Sequence, residues 1–388
     1  MPDLPFKLQK KLSQRGIDNA LRVLPGQNEL IDFSSNDYLG LSRNAAIFHK
    51  ATERLKNQKY RLNGATGSRL LSGNHELYGP LEDKLSDMHD VEASLVYNSG
   101  YDANIGFFGA VPQRGDVVIY DELIHASIRD GIKMGNAKSY KFRHNDLDDL
   151  RKVCHEWRSQ SQMDQEVYVV TESVFSMDGD SPDLARFSDF CNSERCHFVV
   201  DEAHSVGIFG ANGMGLVQQL GLQDNIFARI VTFGKAMGCH GAAILGSQDL
   251  IAYLVNFSRS WIYTTGLPPH AVATIQMAYE HVISPQGSVT LEQLRSNISF
   301  FGLQLESLQL KPYFIPSKSM IQCCIVTGNE RAKSLAQKMQ QEGFDVRAIL
   351  SPTVPAGKER LRFCLHTFNT EMQIKGVLTS LSKQIQIQ

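Results

Sequence analysis

Lysine 235 stands in TFGKAMGCHG (232–241), with Gly234 before it and Gly238 and Gly241 after it. A surface lysine needs no such neighbours. A lysine that must meet the carbonyl of a bulky flat molecule needs clear space, and glycine supplies it. Upstream, HFVVDEAH (197–204) places Asp201 and His204 just after an apolar run, with Asp201 34 positions before the lysine. Glu172 ends EVYVVTES, Asp121 ends DVVIYDE, and Ser99-Gly100-Tyr101 follow ASLVYN. Such a set can do covalent chemistry through an amine, with carboxylates to hold a cation and backbone amides to hold an anion.

Those groups are far apart in sequence, so the fold must bring them together. From 45 to 275, short apolar runs alternate with helix-like stretches: ASLVYNSG, DVVIYDE, EVYVVTES, HFVVDEAH, ARIVTFGK and GAAILGS. Runs of this length bounded by polar residues read as strands buried on both faces, and alternation with helices predicts an α/β fold with a mostly parallel sheet. In open sheets of this kind ligands bind beyond the carboxyl ends of the strands. Those ends carry the residues named above. Residues 1–44 read as an N-terminal arm, a helix followed by the extended IDFSSNDYLG, and 45–275 as a large domain. Residues 276–388 read as a smaller C-terminal α+β domain containing the long polar helix LEQLRSNISFFGLQLESL.

Composition excludes several classes. The 388 residues are 42% hydrophobic and 21% charged with a formal net charge of −2, so no global basic field recruits nucleic acid. The opening MPDLPFKLQKKL lacks a signal-peptide core, no run approaches a membrane span, and a cytoplasmic location is expected. The seven cysteines form no C-x-x-C pair, and no metal site is expected. DEAH at 201–204 is also a helicase motif, but a phosphate loop ending at Gly234-Lys235 would have Arg229 for its first glycine and Ala236 for its hydroxyl. AHSVG (203–207) is one residue from a hydrolase nucleophile elbow at Ser205; its first glycine is missing, and the glycine-rich IFGANGMG that follows is a poor helix.

Pyridoxal phosphate asks for a lysine to take its aldehyde, an acid at its ring nitrogen and amides for its phosphate. Lys235, Asp201 and the Gly100-Tyr101 turn meet these demands in order. A hemmed-in lysine near other cations has a lowered pKa and serves as a base. Taken singly, each feature has an ordinary structural reading: a strand-end aspartate caps a helix, a lone histidine such as His125 is a satisfied core residue, and Arg22 lies on a solvated helix face. The ordered set is what points to chemistry.

The chain resembles the α-oxoamine synthases, which are fold-type I pyridoxal-phosphate enzymes. The likeness rests on FSSNDYLGLS (33–42), GATGSRLLSGNHELYGPLE (64–82), NSGYDAN (98–104), HAS (125–127), ESVFSMDGD (172–180), VDEAHSVGIFG (200–210), TFGKAMG (232–238), IYTTGLPP (262–269) and PTVPAGKERLR (352–362). The resemblance implies that Lys235 binds the cofactor and moves the Cα proton, that His125 stacks on its ring, and that Asp201 pairs with the ring nitrogen. It implies His204 and Ser176 at the ring oxygen, Glu172 on the substrate side, and Gly100, Tyr101 and Thr232 at the phosphate, with Thr265 reaching in from a second subunit of a homodimer. Arg22, Asn36, Thr353 and Arg362 would face substrate, Arg362 taking the amino-acid carboxylate bidentately.

Within the family, GSRLLSG, FRHNDL (142–147), SVFSMDGDSP and PTVPAG favour the branch that condenses L-alanine with a pimeloyl thioester, carried by coenzyme A or an acyl carrier protein. Members using glycine or serine with another acyl donor are the alternative. Cys239-His240 and Trp261 depart from the family pattern and bear on the acyl pocket.

Overall fold

The computed structural model describes residues 3–24, 26, 29–160 and 165–386. The chain divides into two compact units, 39–176 with 181–292 and 1–38 with 177–180 and 293–388.

The larger unit is built on a seven-stranded sheet of β1 (Ala93–Tyr97), β2 (Val117–Asp121), β3 (Lys138–Phe142), β4 (Val167–Glu172), β5 (His197–Asp201), β6 (Ala228–Thr232) and β7 (Ala242–Gly246). Their order across the sheet is β1-β7-β6-β5-β4-β2-β3. Only β7 runs against its neighbours, so six carboxyl ends lie along one edge. Val167, Val169, Phe198 and Val200 pack into a core on one face, while Tyr168, Val170 and Val199 pack into a core on the other. Burial on both faces is why these strands read as unbroken apolar runs rather than alternating ones. The strand absent from that reading is β3, KSYKF, whose first four residues are exposed at the sheet edge. An edge strand carries no apolar run to betray it.

Two helices matter for the site. Helix α1 (Gly100–Ala110) follows β1 and starts at Ser99, whose Oγ accepts from the Asp102 amide at 3.1 Å. Helix α2 (Ala126–Met134) follows β2. They cross closely because Gly131 has no side chain; a Cβ there would lie 2.7 Å from the Asn104 carbonyl oxygen.

The smaller unit holds a three-stranded antiparallel sheet in the order Arg347–Ile349, Arg360–Cys364, Ile321–Ile325. The extended segment Ile31–Asp32 pairs in parallel with Phe344–Asp345, after the N-terminal helix Phe6–Ile17. The sequence border at 275/276 falls inside the helix Pro269–Val282, most of whose residues are buried in the larger unit. The change of unit comes at 292/293 within the helix Pro285–Ser307, and residues 39–44 also belong to the larger unit. A helix of mixed polarity hides such a border, because its sequence pattern does not change where its packing partner does.

Candidate active site

Register assembles the site. Glu172 on β4 lies opposite Asp201 on β5, while Thr232 on β6 and Tyr97 on β1 both lie opposite Ala242 on β7. Lys235 projects from the turn between β6 and β7, where the Cys239 amide bonds the Phe233 carbonyl at 2.7 Å and the Gly238 amide bonds the Lys235 carbonyl at 2.8 Å. The surrounding glycines have two different causes. Gly238 has φ 62° and a Cβ there would collide with the Ser42 backbone; Gly241 has φ 112° and abuts Tyr97 and Leu267. Both are required by the turn itself, contrary to the expectation that they clear space for a ligand. Gly234 alone is exposed, with nothing nearer to a Cβ than Cys239 O at 3.7 Å.

Lys235 Nζ and His204 Nε2 share a hydrogen bond at 2.6 Å. Asp201 is buried; its Oδ1 accepts from the Ala203 amide and its Oδ2 from Asn104 Nδ2, each at 2.9 Å. His125 caps α2, its Nδ1 accepting from the Ser127 amide at 3.3 Å, and its own amide donates to Glu172 Oε1 at 2.6 Å. Burial, and then the charge of Lys235, pushes the His125 pKa down, so the ring is neutral. Burial, reinforced by the Asp201 charge, pushes Glu172 up to about 8. This carboxyl is therefore largely protonated at neutral pH.

Thr232 and Gly100 touch. A Cβ on Gly100 would lie 2.6 Å from Thr232 Cγ2, so only glycine fits where α1 begins beside this threonine. Tyr101 is about half exposed and donates to Asp130 Oδ2 at 3.0 Å. The helix N-terminus, the threonine and the missing Cβ form an anion cradle. Ser176 is partly exposed beyond β4, and the exposed Thr265 accepts from Asn98 Nδ2 through its carbonyl at 2.6 Å.

The smaller unit gathers the residues expected at substrate. Asn36 Oδ1 accepts from Tyr38 at 2.9 Å and from the buried Arg362 Nη2 at 3.0 Å. The exposed Arg22 and Thr353 meet at 3.4 Å. Arg22 thus makes a specific contact as well as facing solvent.

Other candidates go elsewhere. Asp121 is saturated by His144 Nδ1 at 2.9 Å and by the amides of Leu123 and Asn145 at 2.8 Å, so it shapes its loop. Ser205 is fully buried and donates to Glu202 Oε1 at 2.7 Å, and a turn, not a helix, follows it. The hydrolase elbow is therefore overturned: a nucleophile has to be exposed. Trp261 is buried in the larger unit's core with its Nε1 on Val96 O at 3.1 Å, which makes it a packing residue. Asn104 and Ser127 are the site residues that sequence reasoning left without a role, although both lie in the quoted stretches NSGYDAN and HAS.

A profile of the family "Aminotransferase class I and II" matches residues 28–381. The chain belongs to that family. The 8-amino-7-oxononanoate synthase of Emericella nidulans is 39% identical over 379 residues, covering 94% of this chain and 91% of its own. The same enzyme of Geobacter sulfurreducens is 33% identical over 383 residues, 96% of each chain. Among solved structures, serine palmitoyltransferase of S. paucimobilis with PLP and myriocin bound aligns at TM-score 0.87 and 26% identity over 98% of this chain and 97% of that one. The 8-amino-7-oxononanoate synthase of Francisella tularensis aligns at TM-score 0.78 and 26% identity over 93% and 99%. The chain is thus an α-oxoamine synthase, an acyltransferase that uses pyridoxal 5'-phosphate. The residues present fit this cofactor: an amine hydrogen-bonded to an imidazole, a buried carboxylate, and a helix N-terminus beside a threonine where a Cβ would fill the space.

Proposed function

We propose that this enzyme condenses L-alanine with a pimeloyl thioester, releasing carbon dioxide and the free thiol and giving 8-amino-7-oxononanoate, the chemistry of biotin biosynthesis. The observation that carries this reading is the 39% identity to the Emericella nidulans 8-amino-7-oxononanoate synthase along nearly the whole chain. Lys235 would hold the cofactor, with Asp201 at its ring nitrogen, His125 against its ring, and His204 and Ser176 at its ring oxygen. Gly100, Tyr101 and Thr232 would take the phosphate, with Thr265 contributed by a second subunit, and Glu172 would border the substrate. Bound there, pyridoxal phosphate draws electron density from the amino-acid Cα and makes its proton removable.

Each side chain then has a task that follows from its surroundings. Lys235 Nζ takes the Cα proton and later returns one, with His204 Nε2 beside it as its hydrogen-bond partner. Asp201, with both oxygens already oriented by donors, keeps a proton on the ring nitrogen. Arg362, held by Asn36, binds the amino-acid carboxylate, and Arg22 with Thr353 serves the acyl substrate.

The homodimer belongs to this reading too. Helix Phe6–Ile17 buries no residue, and Phe6, Val23, Leu24, Leu71 and Tyr263 are all at least 73% exposed, which favours a second copy covering them. Among the described residues no helix is long and apolar enough to cross a membrane, and a cytoplasmic location remains part of the proposal.

The serine palmitoyltransferase alignment favours a second reading, with serine and a longer acyl donor. Identity outranks fold overlap here, because likeness at 26% does not select a substrate. Incubating purified enzyme with pimeloyl-CoA or a long-chain acyl-CoA and each of L-alanine, glycine and L-serine decides it. Product and carbon dioxide are expected with L-alanine alone; turnover with serine and a long-chain acyl-CoA would sink the proposal.

A further inference from the structure

Asn104 is buried in α1 and gives both amide protons to groups of the site: one to Asp201 Oδ2 at 2.9 Å, the other to Ser127 Oγ at 3.0 Å. Its own Oδ1 is buried without a hydrogen-bond partner, so this amide is used purely as a double donor. Ser127 is fully buried at the start of α2, with its Oγ 2.7 Å from His125 Nδ1. That oxygen accepts from Asn104, and because Nδ1 is already an acceptor for the Ser127 amide, the hydroxyl hydrogen goes to Nδ1. The Ser127 amide also donates to Nδ1, at 3.3 Å. Two donors on one ring nitrogen leave no room for a proton on it, so His125 carries its proton on Nε2. The chain of donors runs from Asp201 to His125 without a break. It exists because Gly131 lets α1 and α2 approach closely enough for Asn104 to reach Ser127.

We propose that Asn104 and Ser127 are positioning residues that tie the carboxylate at the cofactor's ring nitrogen to the histidine at its ring face, fixing the first in orientation and the second in tautomer. The proposal rests on the cofactor site described above, and neither residue touches the reacting atoms. Asn104 acts on both groups, Ser127 on the histidine alone. That asymmetry is the signature of a relay, because a purely structural role would move every property together.

The test compares holoenzyme of the native chain with Asn104→Leu and Ser127→Ala. The readouts are the dissociation constant for pyridoxal phosphate, the pH midpoint of the bound cofactor's visible band, and the His125 ring ¹⁵N shifts, assigned by difference with His125→Gln. Asn104→Leu should weaken cofactor binding about tenfold or more, as expected when a charged acceptor loses a hydrogen bond, and should shift the band's midpoint. Ser127→Ala should leave binding within about twofold, because the Asn104–Asp201 bond stays, yet change the Nδ1 and Nε2 shifts. Asn104→Leu binding cofactor as tightly as the native enzyme, with an unmoved midpoint, overturns the proposal. So do unchanged ¹⁵N shifts in Ser127→Ala. A native enzyme that takes up no cofactor would instead refute the site on which the relay is built.

Discussion

Two cations lie six positions apart on the same strand and its turn, and they serve opposite ends. Arg229, inside β6, is 1% exposed and its guanidinium is saturated: Nε to Glu202 Oε2 at 2.8 Å, Nη1 to His89 O at 3.0 Å and Nη2 to Met214 O at 2.8 Å. Glu202 in turn accepts from Ser205 Oγ and the Val217 amide, and burial, with the Arg229 charge, holds His89 neutral. Lys235, beyond the strand end, is partly exposed, and its amine rests on an imidazole nitrogen. The neighbouring acids divide the same way, Glu202 into the ion pair and Asp201 into the site. Where a cation is buried inside the strand with its guanidinium bonded on every nitrogen, charge serves the fold; the partly exposed amine beyond the strand end is the one we assign to the cofactor.

Substitutions should separate the two regions, from the largest effect to the smallest. Lys235→Ala should lower kcat by about a thousandfold or more while leaving the thermal midpoint within a few degrees, since general-base and covalent roles are both lost. Steady-state assay and calorimetry read the two. Arg229→Met should do the reverse. Leaving Glu202 buried and unpaired costs about 3–5 kcal/mol in urea unfolding, with kcat of the folded fraction nearly unchanged. Adding Glu202→Gln should restore part of that loss. If Arg229→Met abolished turnover in fully folded enzyme, the division between the regions would be wrong.

Glu172→Gln sharpens the contrast through pH. The native carboxyl titrates near 8 against an ordinary value of 4.5, so the folded state holds more protons than the unfolded one between those limits. Its contribution to stability is therefore full below the ordinary value and falls as pH rises toward 8. Glutamine has no such slope. Urea unfolding of cofactor-free protein from about pH 5 to about pH 9 should show the variant gaining on the native chain; parallel curves would mean that Glu172 is charged throughout. Ser205→Ala should be the mildest, costing about 1 kcal/mol for its bond to Glu202 and no turnover.

Much of this site was legible because the groups end strands of a two-face-buried sheet, and such strands announce themselves as apolar runs. Lys235, Asp201, Glu172 and Gly100 read as strand-end residues; register sets Glu172 opposite Asp201, and Lys235 and Gly100 follow the ends of β6 and β1. The Asn104–Ser127 relay was not legible, because it depends on the crossing of two helices rather than on spacing. Nor was the buried ion pair of the adjacent Glu202 with Arg229 legible, because it depends on where those side chains point. Edge strand β3 escaped notice for want of apolar residues, and the unit border for lying within a helix.

The central claim is that Lys235 is the residue that carries the cofactor. Reducing the holoenzyme with borohydride, digesting it and locating the reduced pyridoxyl group by mass spectrometry tests it directly. A single modified peptide with the label on Lys235 is the predicted result. Label on any other lysine, with Lys235 recovered unmodified, would contradict the account.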